Sequence, residues 1–333
     1  MTELPTSNSR LSTLALHCSA IVGSLVLSAC GGKKAEVGFR VALVTPGSVS
    51  DAAWNSGAYA GLLQIRDSLG ASVSQVEAHT PAEQEEALRT YAAQGYNLVF
   101  GHGFEFQGPA ERVSAQYPNT VFIVTSGERV QARVAPIVFH LSEASYLAGM
   151  VAGGMTKTGT IGFVGGIELP PIKEAQEAWE AGARAVRPDV KARATYLNTF
   201  DDLAAGREAT LALMRVGADM FHHNADAAAL GLFQAVKESK TAYAFGSNAD
   251  QSALAPERVL GSAVIDLPRA FLAVAREVKS GRFTPHVEAF GLKSGVIRYE
   301  ANPALASLVP PALLAKVTAA RDSIMAADHT GTP

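Results

Sequence analysis

Short apolar runs alternate with amphipathic segments along most of this chain, starting near residue 37. Several of the runs, such as 120-TVFIVT-125 and 160-TIGFVGG-166, are apolar throughout rather than at every second position. Continuous apolar runs are typical of strands that are buried on both faces of a parallel sheet. Because such runs alternate with helical patterns, the sequence predicts an α/β fold built on parallel sheets.

The number of strands indicates two sheets. Ten candidates are present: Phe39–Val44, Ala71–Glu77, Leu98–Gly101, Val121–Thr125, Ala135–Phe139, Thr160–Val164, Val190–Tyr196, Met220–His223, Tyr243–Gly246 and Arg258–Val264. Ten strands approach the upper limit for one strongly twisted open sheet. The chain passes from one group of five to the other near 140-HLSEASYLAG-149. Since open parallel sheets bind ligands beyond the carboxyl ends of their strands, two such lobes can enclose a cleft.

The N-terminal segment has the features of an export signal. The apolar run 20-AIVGSLVLSA-29 is shorter than the roughly 20 residues of a transmembrane helix and suits a signal peptide. It ends in 27-LSAC-30, which resembles a bacterial lipobox. We therefore predict a signal peptide at 1–29, lipidation of Cys30 and a tether at 30–36, which together place a lipoprotein on a membrane of the cell envelope. An ordinary signal peptide with an incidental cysteine is the alternative.

Cysteine content and motifs argue against several classes of function. The other cysteine, Cys18, lies in the segment to be removed, so the mature body has no disulfide, cysteine nucleophile or cysteine-ligated metal. The net charge of -3 and the absence of a Lys/Arg run argue against a nucleic-acid partner. The chain has no Gly-x-Ser-x-Gly elbow and no Walker A loop, and Phe106 stands where a dinucleotide fingerprint needs its third glycine. We expect no enzyme activity, cofactor or metal.

Polar and aromatic residues cluster instead at the carboxyl ends of five predicted strands. The predicted ligand-binding residues are Asp51, Trp54, Asn55, Phe104, Glu105, Phe200, Asp202, Asn224, Asp226, Asn248 and Asp250. Aromatic rings stack on flat ligands, and carboxylates and amides bind hydroxyls or ring nitrogens. Taken singly, Asp51, Asp202 and Asp226 could be helix N-caps, and Trp54 or Phe200 could belong to a core. Their coincidence at five strand ends favours a ligand site.

The chain resembles the basic membrane protein (BMP, PnrA-like) family of ABC-transporter substrate-binding lipoproteins. The resemblance covers about residues 38 to 300 and is carried by four segments: 51-DAAWNSGAYAGL-62, 101-GHGFEFQGPAERVSAQYPNTVFIVTSG-127, 146-YLAGMVAGGMTKTGTIGFVGGIELP-170 and 246-GSNADQSALAPERVLGSAV-264. It implies a periplasmic-binding-protein type I fold with ligand between two lobes. The implied lobes are 37–141 plus 266–289 and 142–265 plus 290–333.

The resemblance also implies how a ligand is held. Nucleoside-binding members place the base between two aromatics, which match Trp54, flanked by Asp51 and Asn55, and Phe200, followed by Asp202. Several polar positions depart from the family pattern: a ribose-binding acid falls on Asn248, a frequent lysine on Ile265 and a further acid on Gly108, with Glu105 or Gln107 as possible substitutes for the last. These departures argue against an unmodified ribose.

The sequence therefore predicts a lipid-anchored receptor for a purine nucleoside, nucleobase or related flat heterocycle. Its lobes close over the ligand, and its partners are an ABC permease and a separate ATPase. The alternatives are a sugar receptor of the same fold, a nucleoside hydrolase and a sensor that docks to a membrane signalling partner.

Overall fold

The structure is a computed structural model that describes residues 38–51 and 53–327. The predicted signal peptide, the predicted lipidation site Cys30 and the predicted tether lie outside these residues. In the described part of the chain, no helix has the length and apolar character needed to cross a membrane.

Two six-stranded sheets form the framework. Sheet 1 has the order β11-β5-β4-β3-β1-β2, and all its pairings are parallel. Its strands are β1 (Arg40–Thr45), β2 (Ser72–Glu77), β3 (Leu98–His102), β4 (Val121–Thr125), β5 (Val134–Phe139) and β11 (Glu288–Phe290). Sheet 2 has the order β12-β10-β9-β8-β6-β7. Its strands are β6 (Thr160–Gly165), β7 (Lys191–Tyr196), β8 (Met220–Asn224), β9 (Tyr243–Asn248), β10 (Val259–Ile265) and β12 (Ile297–Ala301).

Helices cover both faces of each sheet. Lobe 1 denotes sheet 1 with α1 (Trp54–Leu69), α2 (Pro81–Ala93), α3 (Gln107–Ser114) and α8 (Leu267–Lys279). Lobe 2 denotes sheet 2 with α4 (Leu141–Met155), α5 (Pro170–Val186), α6 (Leu203–Arg215), α7 (Ala229–Glu238) and α9 (Pro311–Ala326). In lobe 1, α1 packs on α8 and α2 packs on α3; in lobe 2, α4 packs on α5 and α9, and α6 packs on α7.

The ten predicted strands are all present, with ends within two residues of their predicted positions. The predicted cap of α2 is also confirmed: Thr80 and Glu83 form a reciprocal capping box. Two strands were missed. β11 has three residues, too few for a periodic pattern, and the edge strand β12 carries Arg298 and Glu300. The predicted parallel sheets are confirmed, and the additional strand β12 runs antiparallel to β10.

The chain crosses between the sheets after β5, after β10 and after β11. The last crossing is held by Glu143, whose Oε2 accepts a hydrogen bond of 2.6 Å from the backbone N–H of Leu292. Several connections between two α/β lobes allow the lobes to hinge while preventing them from separating.

Helices α4 and α5 approach closely because glycine residues of each helix lie against the backbone of the other. A Cβ added at Gly149 or Gly182 would overlap the carbonyl oxygen of Trp179 or Tyr146 on the opposite helix. The indole of Trp179 is fully buried beside this contact and packs against Phe245, with ring centroids 5.1 Å apart. Lobe 2 therefore depends on small residues at this crossing.

We predict that Gly149→Ala lowers the free energy of unfolding by about 1–3 kcal/mol, because rigid backbone cannot move away from the new methyl group. Gly154→Ala, in the same helix, is the matched control, since its Cβ would meet only the flexible end of the Leu313 side chain. The stability of both variants is measured by thermal and urea unfolding. Equal stability of the two variants would contradict the account of this crossing.

Candidate functional site

A cavity of about 600 Å³, mouth included, lies where the carboxyl ends of strands from both sheets meet. Lobe 1 and its crossings contribute Pro46, Trp54, Gly103, Phe104, Glu105, Ser126 and Phe139; lobe 2 contributes Leu141, Leu169, Pro171, Ile172, Phe200, Asn224, Asp226, Asn248 and Ile265. Seven of the predicted ligand-binding residues are among them: Trp54, Phe104, Glu105, Phe200, Asn224, Asp226 and Asn248.

Trp54 is the first residue of α1, and its ring is held in place by the rings of two other residues. The indole stacks on the imidazole of His102, with ring centroids 4.0 Å apart and an interplanar angle of 23°. The ring of Phe139 meets it edge-on at 6.2 Å and 89°. A half-buried indole that is packed in this way has few rotamers open to it, so it presents a rigid surface to the cavity.

His102 has its hydrogen bonds fixed by its neighbours. Its Nε2 lies 3.1 Å from the carbonyl oxygen of Trp54, which can only accept, so Nε2 carries the proton. The Nδ1 atom then accepts from the hydroxyl of Thr125 at 3.0 Å. Burial lowers the pKa of His102 to about 3, so the imidazole is neutral under ordinary conditions. The histidine thus supports Trp54 through both its ring and its N–H group.

Phe200 is the aromatic that lobe 2 contributes. Its ring lies against Gly166, where an added Cβ would overlap the ring. Its carbonyl oxygen accepts a hydrogen bond of 2.8 Å from the backbone N–H of Ala228. Asp202, two residues later, is the N-cap of α6 and accepts from the backbone N–H of Ala205 at 2.9 Å. The turn is therefore held at its backbone, while the ring reaches the cavity.

The polar side of the cavity is a small amide and carboxylate network in lobe 2. The Nδ2 of Asn248 donates to Oδ1 of Asn224 at 3.4 Å and to Oδ1 of Asp226 at 3.5 Å. Asn248 and Asp226 have left-handed backbones, with φ of 66° and 44°, and so does Ser126 across the cavity at 57°. Non-glycine residues rarely adopt this conformation, and such residues cluster at functional sites.

Glu105 carries the carboxyl group that lobe 1 contributes. A Cβ added at Gly103 would lie 2.5 Å from Oε2 of Glu105, and the φ of Gly103 is 144°. Glycine is therefore favoured at residue 103 by its backbone conformation, and it leaves room for the Glu105 carboxylate beside it.

Both cavity carboxyls have raised pKa values. Burial raises the pKa of Glu105 to about 7. Burial also raises the pKa of Asp226 well above its ordinary value, and the negative charges of Asp51, Glu105 and Asp201 add to the effect. The potential in the cavity is therefore negative once these groups ionise.

Four predicted residues do not line the cavity. The carboxylate of Asp51 accepts from the backbone N–H groups of Ala53, Asn55 and Ser56 at 2.7–3.0 Å and so caps the start of α1. Asp202 is the N-cap described above. Asp250 accepts from the backbone N–H and hydroxyl of Ser252 at 3.0 and 2.6 Å. Asn55 is buried beside the cavity, and its Oδ1 has no hydrogen-bond partner among the described residues.

Several cavity residues were not singled out from the sequence. Phe139 and Ser126 end or follow predicted strands, so strand-end position was a usable signal for both. The apolar Leu169, Pro171 and Ile172 carry no sequence signal of ligand binding. In the described ranges, no group of three or more His, Cys, Asp or Glu side chains could hold a metal ion.

Comparison with known proteins identifies the kind of molecule. Residues 39–318 match the Bmp family, described as ABC transporter substrate-binding protein PnrA-like. The chain is 29% identical to basic membrane protein A1 of Borrelia garinii over 296 residues, covering 84% of this chain and 85% of the relative. It is 26% identical to the ABC transporter nucleoside-binding protein BmpA of Lactococcus lactis over 312 residues, covering 85% and 89%.

A solved structure confirms the fold. The chain superposes on an ABC transporter solute-binding protein from Aeropyrum pernix with a TM-score of 0.81 and 22% identity, covering 86% of this chain and 91% of the other. The two-lobed periplasmic-binding-protein type I fold expected from the sequence is therefore present.

The raised pKa of Glu105 predicts a pH-dependent stability. A carboxyl that holds its proton more tightly in the folded chain destabilises the fold as pH rises from its unfolded pKa of about 4.5 through its folded pKa of about 7. As pH rises from about 4.5 to about 7, the Tm of Glu105→Gln should therefore fall less than the Tm of the wild type. The corresponding difference in the free energy of unfolding is at most about 3 kcal/mol, and the residual exposure of the side chain reduces it.

Differential scanning calorimetry across this pH range measures the effect. Glu257→Gln is the matched control, because Glu257 is exposed and does not line the cavity. If both variants follow the wild-type pH profile, the Glu105 carboxyl ionises as it does in water.

Proposed function

The chain belongs to the Bmp family of PnrA-like ABC transporter substrate-binding proteins, and we propose that it binds a purine nucleoside, a nucleobase or a related flat heterocycle for an ABC importer. The ligand lies between lobe 1 and lobe 2, with lobe boundaries at 37–141 plus 266–289 and 142–265 plus 290–333. Lipidation of Cys30 anchors the protein to a membrane of the cell envelope. An ABC permease receives the ligand, and a separate ATPase supplies the energy.

One observation carries the proposal: an aromatic ring from each lobe lines the same cavity. Trp54 comes from lobe 1 and Phe200 from lobe 2, and each is held by a packing partner, His102 and Gly166 respectively. A flat ligand between the two rings gains stacking energy only when both lobes contact it, about 0.5–1.5 kcal/mol for each ring beyond burial. The ligand thereby favours the closed arrangement of the lobes.

The remaining lining supports a heterocycle rather than a hydrocarbon. Asn224, Asp226 and Asn248 form one polar edge, and Glu105 faces the cavity from lobe 1. Carboxylates and amides match the N–H groups and ring nitrogens of a base, and they fix its orientation between the rings. Asp51, Asp202 and Asp250 support the loops and helix starts that carry these contact residues.

The mechanism we propose is capture and presentation without chemistry. The lobes hinge at the crossings after β5, β10 and β11 and close over the ligand. The permease recognises the closed form, which the ligand populates because it binds that form more tightly than the open one. Transport is proposed as the role, since the family is defined by substrate binding.

A ligand panel tests this proposal. We expect free purine bases or purine nucleosides to raise the Tm and to bind in calorimetry, whereas monosaccharides do not. Trp54→Ala should weaken binding at least about tenfold through lost stacking, and Trp54→Phe should retain most of it. Tm shifts produced by sugars alone would make the chain a sugar receptor. Release of free base from inosine during long incubation would make it a hydrolase, and normal binding by Trp54→Ala would remove the stacking role.

A further inference from the structure

The titratable side chains that line the cavity in the described part of the chain are acidic. Glu105 enters from lobe 1 and Asp226 from lobe 2, and the described lining residues include no Lys, Arg or His. Asp51 and Asp201 lie close enough for their charges to act on Asp226. A cationic ligand would therefore meet acidic groups from both lobes, and no cationic side chain among the described lining residues would offset them.

Asp226 has little hydrogen bonding for a carboxylate so deeply buried. Its exposed fraction is 7%, and within the described residues its side chain accepts one long hydrogen bond, 3.5 Å from Nδ2 of Asn248. Burying a carboxylate is costly unless it is paired and hydrogen-bonded. Because Asp226 lines the cavity, a bound molecule can supply the missing partner.

The aromatic walls of the cavity also favour a positively charged ligand. Four aromatic rings line it, those of Trp54, Phe104, Phe139 and Phe200. The face of an aromatic ring attracts cations, and the attraction reaches about 2 kcal/mol where the cation is desolvated. The aromatic and acidic parts of the lining thus favour one kind of ligand independently.

We propose that the cavity selects a flat heteroaromatic ligand that carries a positive charge, whose N–H groups are bound by Glu105 from lobe 1 and Asp226 from lobe 2. This proposal rests on the proposed function and narrows its ligand class. Burial at one cavity opposes the ionisation of both carboxyls. A cation between them stabilises their ionised forms, so the charge of the ligand as well as its shape couples binding to closure.

Pairs of nucleosides that differ mainly in charge test the proposal. N1-methyladenosine, a cation at neutral pH, is compared with its neutral isomer N6-methyladenosine. 7-Methylguanosine, a cation at pH 6, is compared with guanosine at that pH. Calorimetry on the mature chain should give a Kd at least about tenfold lower for the cationic member of one pair or both.

Carboxamide variants assign the preference to the two carboxyls. Glu105→Gln and Asp226→Asn keep the shape of each side chain and remove its charge, so each should raise the cation-to-neutral ratio of Kd values toward 1. Glu257→Gln removes one exposed negative charge outside the cavity and should leave the ratio unchanged. The Tm of each variant shows whether it folds, and either folded variant suffices for the comparison.

The outcomes separate this inference from the function on which it rests. If the neutral member of both pairs binds as tightly as its cationic partner, the charge inference is overturned and purine binding stands. If N-methylnicotinamide, a flat cation that is not a purine, binds while no purine does, the purine proposal is overturned and the charge inference stands. If no probe binds, both are overturned.

Discussion

The site depends on one geometric constraint, which is that all parallel strands of a sheet end at the same edge. In this chain two sheets turn those edges toward a common cavity, so residues far apart in sequence meet there. Trp54 follows β1, Glu105 follows β3, Phe200 follows β7 and Asp226 follows β8. The rest of the architecture keeps this meeting in place: close helix packing in lobe 2 and three crossings that tie the lobes together.

Around the cavity, contact residues are distinct from the residues that hold them. His102 holds Trp54 through its stacked ring and through the hydrogen bond that its Nε2–H donates to the Trp54 carbonyl oxygen. Phe200 lies against Gly166. Asp51 and Asp202 bind backbone N–H groups at the starts of α1, which begins with Trp54, and of α6, which follows Phe200. The acids at these strand ends therefore divide into two groups: some fix loops, while Glu105 and Asp226 face the cavity.

Much of this was predictable from sequence because the signal was local. Short apolar or β-branched runs that alternate with helical patterns identified ten strands, and position after a strand identified Trp54 and Phe200. The supporting role of Asp250, in contrast, could not be told from a ligand role, because an acid near a strand end suits a turn, a cap or a ligand equally well. His102 was missed because it looks like one more residue of a buried strand, and its contacts with Trp54 exist only in three dimensions. β11 was missed because three residues show no period.

The central claim is that Trp54 stacks on the ligand, and the chain allows this to be observed directly. It has two tryptophans, and the other, Trp179, is fully buried in lobe 2, away from the cavity lining. In a Trp179→Phe protein the tryptophan emission, excited selectively over that of the tyrosines, therefore comes from Trp54 alone. Stacking predicts strong, saturable quenching of that emission by a bound flat heterocycle, with a midpoint equal to the calorimetric Kd. Binding that calorimetry detects while the emission of Trp54 stays unchanged would contradict the account.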